Sequence, residues 1–340
     1  MRASTLHLPF GRSQLDVRVP AANLLGVFAP QAAPALADEI SLLREALAHP
    51  VGAPTLQALA RAGQRVVIVT SDATRPCPSD RMLPLVLDEL TAAGVPDSDI
   101  TIVIALGLHR PMEPAELEAA VGPAVYRRVE VVNHDPTDTV YLGETTAGTP
   151  VEIFRPVVEA DLRVCLGNLE FHYFAGYSGG AKAILPGCAS AASIQSNHAM
   201  MVRPAAATGR IEGNPVRMDL EEGVRLLGVD FILNVLVDGE HQIVGAVAGD
   251  AIRAHRRGCE QVARRGRVGI PQRADIVLAS AGGYPKDLDL YQAQKALDNA
   301  GHAVRKGGII VLAAACEAGL GNGTFEAWMT GASCPEAILE

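Results

Sequence analysis

No two of the six cysteines, Cys77, Cys165, Cys188, Cys259, Cys316 and Cys334, stand at CxxC spacing, so neither a zinc knuckle nor a thioredoxin-like redox pair is written into the chain. A phosphate-cradling GxxxxGK[ST] loop, a GxGxxG dinucleotide fingerprint and an HExxH zinc helix are also missing. The N-terminal MRASTLHLPFGRSQLDVRVP holds no apolar run ahead of a cleavage site, and no secretory signal is expected. The apolar stretch Gly307–Cys316, bounded by Lys306 and Glu317, is far too short to span a bilayer. Basic charge is scarce as well. With 29 Lys and Arg against 38 Asp and Glu, the net charge is −9, which argues against displacing counterions from nucleic-acid phosphates. These absences predict a cytoplasmic chain with reduced cysteines and neither a nucleic-acid nor a membrane partner.

The 340 residues favour two domains at about 150 residues each. A hydrophobic content of 49% with 20% charged residues is a globular balance. Short β-branched runs recur, each followed by a turn-rich segment and a helical pattern. Arg65–Thr70 (RVVIVT) precedes a helix over Asp80–Ala93, with Ser79 as its expected N-cap and Gly94 as its stop. Ile100–Leu106 precedes a short helix over Ala115–Val121, and Val129–Val132, Leu162–Leu166, Phe231–Val237 and Ile276–Ser280 read as further strands. A long helix is predicted over Asp289–Arg305 with a strand at Gly308–Ala313, and Asp238-Gly239 predicts a hairpin. Strands alternating with helices predict an α/β fold of parallel βαβ units. The basic stretch Arg264–Arg273 is the expected boundary. It divides an N-terminal domain, residues 1–265, from an α/β domain over 270–340, which is short for an independent domain and is expected to be incomplete.

Ligands of open α/β sheets bind beyond the carboxyl ends of the strands, and there this sequence concentrates its unusual polar residues. Asp72, Thr74 and Arg75 follow the first strand, His109 and Arg110 the second, and Asn133, His134 and Asp135 the third. After LRVCL comes GNLEFHYFAGYSGGAKAILPG (167–187), and after DIVLAS comes GGYPKD. Each residue also has a plain structural use. Asp72 and Thr74 can cap backbone donors, and GYSGG can be a tight turn. His7, His49, His241, His255 and His302 are assigned to the surface or to structure.

Taken together, DATRP (72–76), GLHRPM (107–112), NHDP (133–136), HYFAGYSGGAKAILPG (172–187), SNH (196–198) and GGYPKDLDLYQAQKALDNA (282–300) resemble the nickel-pincer lactate racemases and related 2-hydroxy-acid racemases and epimerases. The resemblance implies an isomerase that interconverts the enantiomers of a 2-hydroxy acid, lactate by default, with its active site in the cleft between two α/β domains. It further implies a nickel-pincer nucleotide, a pyridinium mononucleotide bearing thioamide and thiocarboxylate, attached covalently at Lys182. His198 would be the metal ligand, and His109 and His172 the paired catalytic acid/bases. Arg75, Gln292 and Lys295 would hold substrate, while Asp72, Thr74, Ser178, Gly179 and Gly180 would seat the cofactor. Cofactor-maturation enzymes are the implied protein partners.

These residue types suit that chemistry. The α-hydrogen of a hydroxy acid beside its carboxylate is a poor proton to remove, so leaving as hydride while a histidine takes the hydroxyl proton avoids a carbanion. Imidazole titrates near neutrality and is a good nickel ligand, and arginine grips a carboxylate bidentately. Two rival readings remain. One is a metal-dependent hydrolase with His109, His172 and His198 as ligands; the other is a non-catalytic α/β protein binding a phosphorylated metabolite at GYSGG and Arg75.

Overall fold

In the computed structural model, which describes residues 2–29, 38–321 and 323–338, the chain separates into two units, Met1–Ala29 with Val268–Glu340, and Pro30–Arg267. β1 (Ala3–Phe10) and β2 (Ser13–Pro20) form an antiparallel hairpin about Gly11, whose φ of +53° suits glycine.

The larger unit carries β3 (Val66–Ser71), β4 (Ile100–Ala105), β5 (Glu130–Asn133), β6 (Thr139–Glu144), β7 (Pro150–Phe154), β8 (Leu162–Asn168), β9 (Phe171–His172), β10 (Gly176–Tyr177), β11 (Phe231–Val237) and β12 (Ile243–Gly249). Its main sheet runs β12-β11-β8-β3-β4-β5, parallel throughout except for the edge strand β12. Side chains alternate between two cores. Val66 and Ile68 join Ile100, Ile102 and Ile104 beneath the Ser79–Ala92 helix, whereas Val67, Val69, Val103 and Cys165 face the Pro215–Leu227 helix on the other side. Helices on both faces explain why β3 reads as a continuous apolar run and not as an alternating one.

The chain leaves β3 towards β4 but leaves β8 towards β11, so the connections part between these two neighbouring strands. That is the place in a doubly wound sheet where a ligand crevice forms.

In the smaller unit, β13 (Ala274–Ser280) and β14 (Val304–Ala313) pair in parallel. The β1–β2 hairpin belongs with them. The Ser280 hydroxyl donates to the Pro9 carbonyl at 2.5 Å, and the buried Asp287 carboxylate accepts from Gly11 N–H at 2.7 Å and Ala315 N–H at 3.1 Å. The division falls inside the expected linker at Val268, but the first 29 residues, read in the sequence as part of a domain over 1–265, group with the C-terminal segment.

Local differences have local causes. Ser79 is the first residue of its helix and not its cap, because its hydroxyl is taken by Thr70 Oγ1 at 2.5 Å and Pro78 occupies the cap position. The helix expected over Asp289–Arg305 is divided into Leu290–Ala293 and Lys295–Gly301, and Val304 already belongs to β14. The hairpin at Asp238-Gly239 forms, with the Asp238 carboxylate accepting from Glu240 and Gln242 N–H at 2.9 and 3.0 Å.

Histidines whose pKa burial lowers, His134, His255 and His198, make stability pH-dependent. His134 stacks edge-on against Phe154, both its ring nitrogens lack a partner among the described residues, and burial pushes its pKa down to about 4. His255 meets the Ser178 carbonyl through Nε2 at 2.8 Å, and burial, then the Arg217 charge, push it down to about 3. Unfolded imidazoles take up a proton near 6.5, so below that pH the unfolded chain binds more protons than the folded one. Stability is therefore expected to fall as pH drops from about 6.5 towards 4, by about 1.4 kcal/mol per pH unit for each ring, with no contribution above 6.5. Melting temperatures measured between about pH 7.5 and 5 check this, and His134→Leu should flatten the slope. An unchanged slope in that variant would remove His134 from the account.

Candidate active site at the carboxyl edge of the sheet

The loops after β3 and β8 enclose a recess lined by Ser71 and Arg75 on one side and by Leu166–Asn168, Glu170, His172, Ser178, Gly179, Lys182 and Ala183 on the other. It lies at the parting of the connections. Five of the residues singled out in the sequence, Arg75, His172, Ser178, Gly179 and Lys182, thus share one wall-to-wall site.

Asp72, only 6% exposed, accepts from His109 Nδ1 at 2.6 Å and from Thr74 Oγ1 at 2.8 Å. Burial alone would raise its pKa, but the His109 hydrogen bond and charge, then Thr74 and Arg75, together hold it below the usual carboxylate range. A carboxylate on Nδ1 makes that nitrogen the donor and leaves a lone pair on Nε2, the arrangement of a general base. Asp72 thus orients His109 directly, and Thr74 does so through Asp72.

His172 is held the other way. β9 and β10 form a two-residue ladder, Phe171 opposite Tyr177 and His172 opposite Gly176, and His172 Nδ1 accepts from Ala175 N–H at 3.3 Å. An acceptor Nδ1 places the neutral ring's proton on Nε2. The two histidines therefore present opposite faces of acid–base chemistry, a bare Nε2 and a protonated one.

Lys182 sits in the Gly180–Ala183 3₁₀ turn, its Nζ 5.4 Å from the centre of the Phe174 ring. His198, near the end of the Ala191–Ala199 helix, packs edge-on against the same ring at 5.0 Å, and His172 does so at 4.5 Å. Phe174 is thus the common floor of the lysine and both imidazoles. Burial, then the Lys182 charge, lower the His198 pKa to about 4 against a weaker pull from the Ile194 carbonyl, so the ring is neutral at physiological pH. Its Nδ1 is buried with no hydrogen bond of ordinary geometry among the described residues. A neutral imidazole beside an amine suits a site where one protein ligand completes a metal whose other donors arrive with a tethered group. Among the described residues no three His, Cys, Asp or Glu side chains cluster closely enough to hold a metal by themselves, which leaves the three-histidine hydrolase reading without its ligand set.

The turn that carries Lys182 can only be glycine. A Cβ on Gly179, φ +69°, would lie 2.8 Å from Asn234 Oδ1, and one on Gly180, φ +57°, would lie 2.6 Å from the His255 ring. Asn234 Oδ1 also accepts from Gly180 N–H at 2.8 Å, and the Ser178 hydroxyl donates to the Asn168 carbonyl at 2.8 Å. Gln292 and Lys295 lie in the smaller unit, where Lys295 Nζ donates to Gln292 Oε1 at 2.6 Å.

Residues 10–209 match the lactate racemase N-terminal domain, and residues 270–340 match the lactate racemase C-terminal domain. The chain belongs to the lactate racemase family. Membership makes it an isomerase of the racemase type. It is 36% identical to the lactate racemase of Thermoanaerobacterium thermosaccharolyticum over 99% of this chain and 80% of that one. With the lactate racemase of Lactiplantibacillus plantarum the identity is 33% over 98% and 80%. The solved lactate racemase apoprotein of T. thermosaccharolyticum superposes with a TM-score of 0.91 at 37% identity, covering 99% of this chain and 80% of that structure, and the two-domain α/β fold is that of the family. No helix among the described residues is long and apolar enough to cross a membrane.

Several residues that shape this racemase site carried no signal in the sequence. Asn214, Arg217 and Asn234 were not singled out, and His255 was assigned only to surface or structure. All four hold backbone groups of residues 174–180, and a carbonyl has no side-chain signature by which its partner can be recognised.

Proposed function

We propose that the chain interconverts the two enantiomers of a 2-hydroxy acid, lactate by default, with a nickel-pincer nucleotide tethered at Lys182 and nickel completed by His198. The observation that carries this reading is the shared floor of Phe174, which gathers Lys182, neutral His198 and His172 beside a recess that also holds Arg75. When bound, the group supplies a ring carbon that takes up and returns hydride at the substrate's C2. The chain's own residues do the rest. Arg75 grips the carboxylate with two parallel N–H donors, which fixes C2 relative to the recess. His109, oriented by Asp72, takes the hydroxyl proton at Nε2, and His172 returns a proton from its own Nε2 when the planar keto acid has presented its other face. In the opposite direction the roles exchange. Gln292 and Lys295 are assigned to substrate by the family motif.

A phosphometabolite-binding role would use the glycine turn and Arg75 but would leave the Asp72–His109 pair idle. We place the protein in the cytoplasm, with cofactor-maturation enzymes as its partners. The test is co-expression with those enzymes, followed by intact-mass and metal analysis and a chiral screen of 2-hydroxy acids. Covalent mass on Lys182, bound nickel and racemisation are expected together. A chain without adduct or nickel after such loading, or one loaded but unable to racemise any 2-hydroxy acid, would overturn the reading.

A further inference from the structure

We propose that Asn214, with Arg217 one turn along, is a positioning residue that sets the proton on His172 by holding the peptide between Phe174 and Ala175. The inference rests on the acid–base role given to His172 above. Asn214 is fully buried and stands at the N-cap of the Pro215–Leu227 helix, where its Oδ1 accepts from Arg217 N–H at 3.2 Å. Capping needs only that oxygen. Its Nδ2 points the other way and donates to the Phe174 carbonyl at 2.8 Å and to the Arg210 carbonyl at 3.2 Å.

The Phe174 carbonyl and the Ala175 N–H belong to one planar peptide unit, so fixing the oxygen fixes the direction of the hydrogen. That hydrogen is the one His172 Nδ1 accepts, at 3.3 Å. The amide of Asn214 therefore reaches the imidazole through one rigid plane, and the result is an Nε2 that carries the proton.

Arg217 completes the clamp from the same helix face, three residues on. Its guanidinium donates through Nε to the Ala175 carbonyl at 3.1 Å and through an Nη to the Tyr177 carbonyl, while the other Nη has no partner among the described residues. No carboxylate among the described residues forms a salt bridge with it, although it is fully buried. A buried cation on which the nearby Glu221 acts only at longer range is costly, and an apolar side chain of similar volume would fill the space at less expense. What arginine adds here is a grip on two carbonyls of the segment that leads from His172 to Lys182. Gly176 between them admits no side chain, since a Cβ there would lie 2.0 Å from the Arg210 carbonyl oxygen.

Asn214→Ser separates the two functions of the residue, because serine caps helices as well as asparagine but cannot donate across to Phe174. Asn214→Ala loses both. A role in stability alone predicts a lower melting temperature in both variants, since serine also gives up the two Nδ2 hydrogen bonds, with the His172 ring resonances of the folded protein unmoved. The positioning role predicts that both variants lose the link to His172. The measurements are amide exchange at Ala175 and the ¹⁵N resonances of the His172 ring, assigned against His172→Gln, all on protein without cofactor. In Asn214→Ser the Ala175 amide should exchange about tenfold faster, the worth of one lost hydrogen bond, and the Nδ1 resonance should move. After loading, kcat should fall while KM holds. A folded serine variant with parental Ala175 exchange and parental ring shifts would overturn the proposal. So would loop-like exchange of Ala175 in the parent protein, whether or not the variants fold. Full racemisation by His172→Ala would instead remove the reading of His172 and leave the clamp standing.

Discussion

Removal of the His109 imidazole is expected to slow racemisation by about 10²–10⁴-fold, or roughly 3–5 kcal/mol of transition-state stabilisation, the contribution of a well-placed general acid–base group. The magnitude follows from the dyad: a buried carboxylate at 2.6 Å holds Nδ1 of the half-exposed ring as donor, so that Nε2 is left without the proton and the ring is oriented by that hydrogen bond. Asp72→Asn should approach the same loss. An amide can donate to Nδ1, and the proton then moves to Nε2, where a base needs its lone pair. Because Asp72 acts through His109, the double variant should be no slower than His109→Ala alone, a strong departure from additivity. Lys182 adduct and nickel should stay at parental levels in all three, as neither residue touches the tether. Chiral turnover with metal analysis on the same samples checks the set. Near-normal racemisation by a loaded His109→Ala enzyme, or fully additive losses in the double variant, would refute the dyad.

Lys182→Ala should abolish the covalent adduct outright, and His198→Ala should keep the adduct but lose most of the nickel. The lysine amine and the imidazole share the Phe174 ring without sharing a role. The neutral state of His198 matters here, because a proton on the ring would compete with a metal for the same lone pair. Intact mass and nickel content of the two purified variants decide the matter. Nickel held tightly in both would show that neither residue does what is assigned to it.

The strands were legible because burial on both faces leaves an unmistakable mark. RVVIVT, ITIVIAL and FILNVLV contain almost nothing else, and they became β3, β4 and β11 to within a residue. Residues that line the recess were legible for a related reason: turns at strand ends have little need of histidine or arginine, and Arg75 and His172 stand out there. Pairings were not. Asp72 and His109 lie 37 positions apart, and only the register of β3 against β4 brings their loops together. The helix predicted over Asp289–Arg305 failed differently. Its apolar spacing continues across Gln294 and Gly301, but the α-helical ladder is interrupted at Gln294, where Leu297 N–H closes a tighter turn on the Gln294 carbonyl, and ends at Gly301. The buried clamp on residues 174–180 was the least visible, since asparagine and arginine in a polar-looking helix give no hint of facing inward.

The parting of the connections between β3 and β8 has an evolutionary consequence. A recess formed where two loops diverge is bounded in part by loop residues outside the core, so its shape and polarity can drift there while Val67, Val69 and Cys165 remain packed. Glu170 on its wall belongs to no ladder of the main sheet and to no core cluster. Relatives that accept bulkier or more polar acids can therefore arise by exchange at such positions with melting temperatures left almost where they were, and preference for one acid over another becomes a trait that selection can adjust separately from foldability.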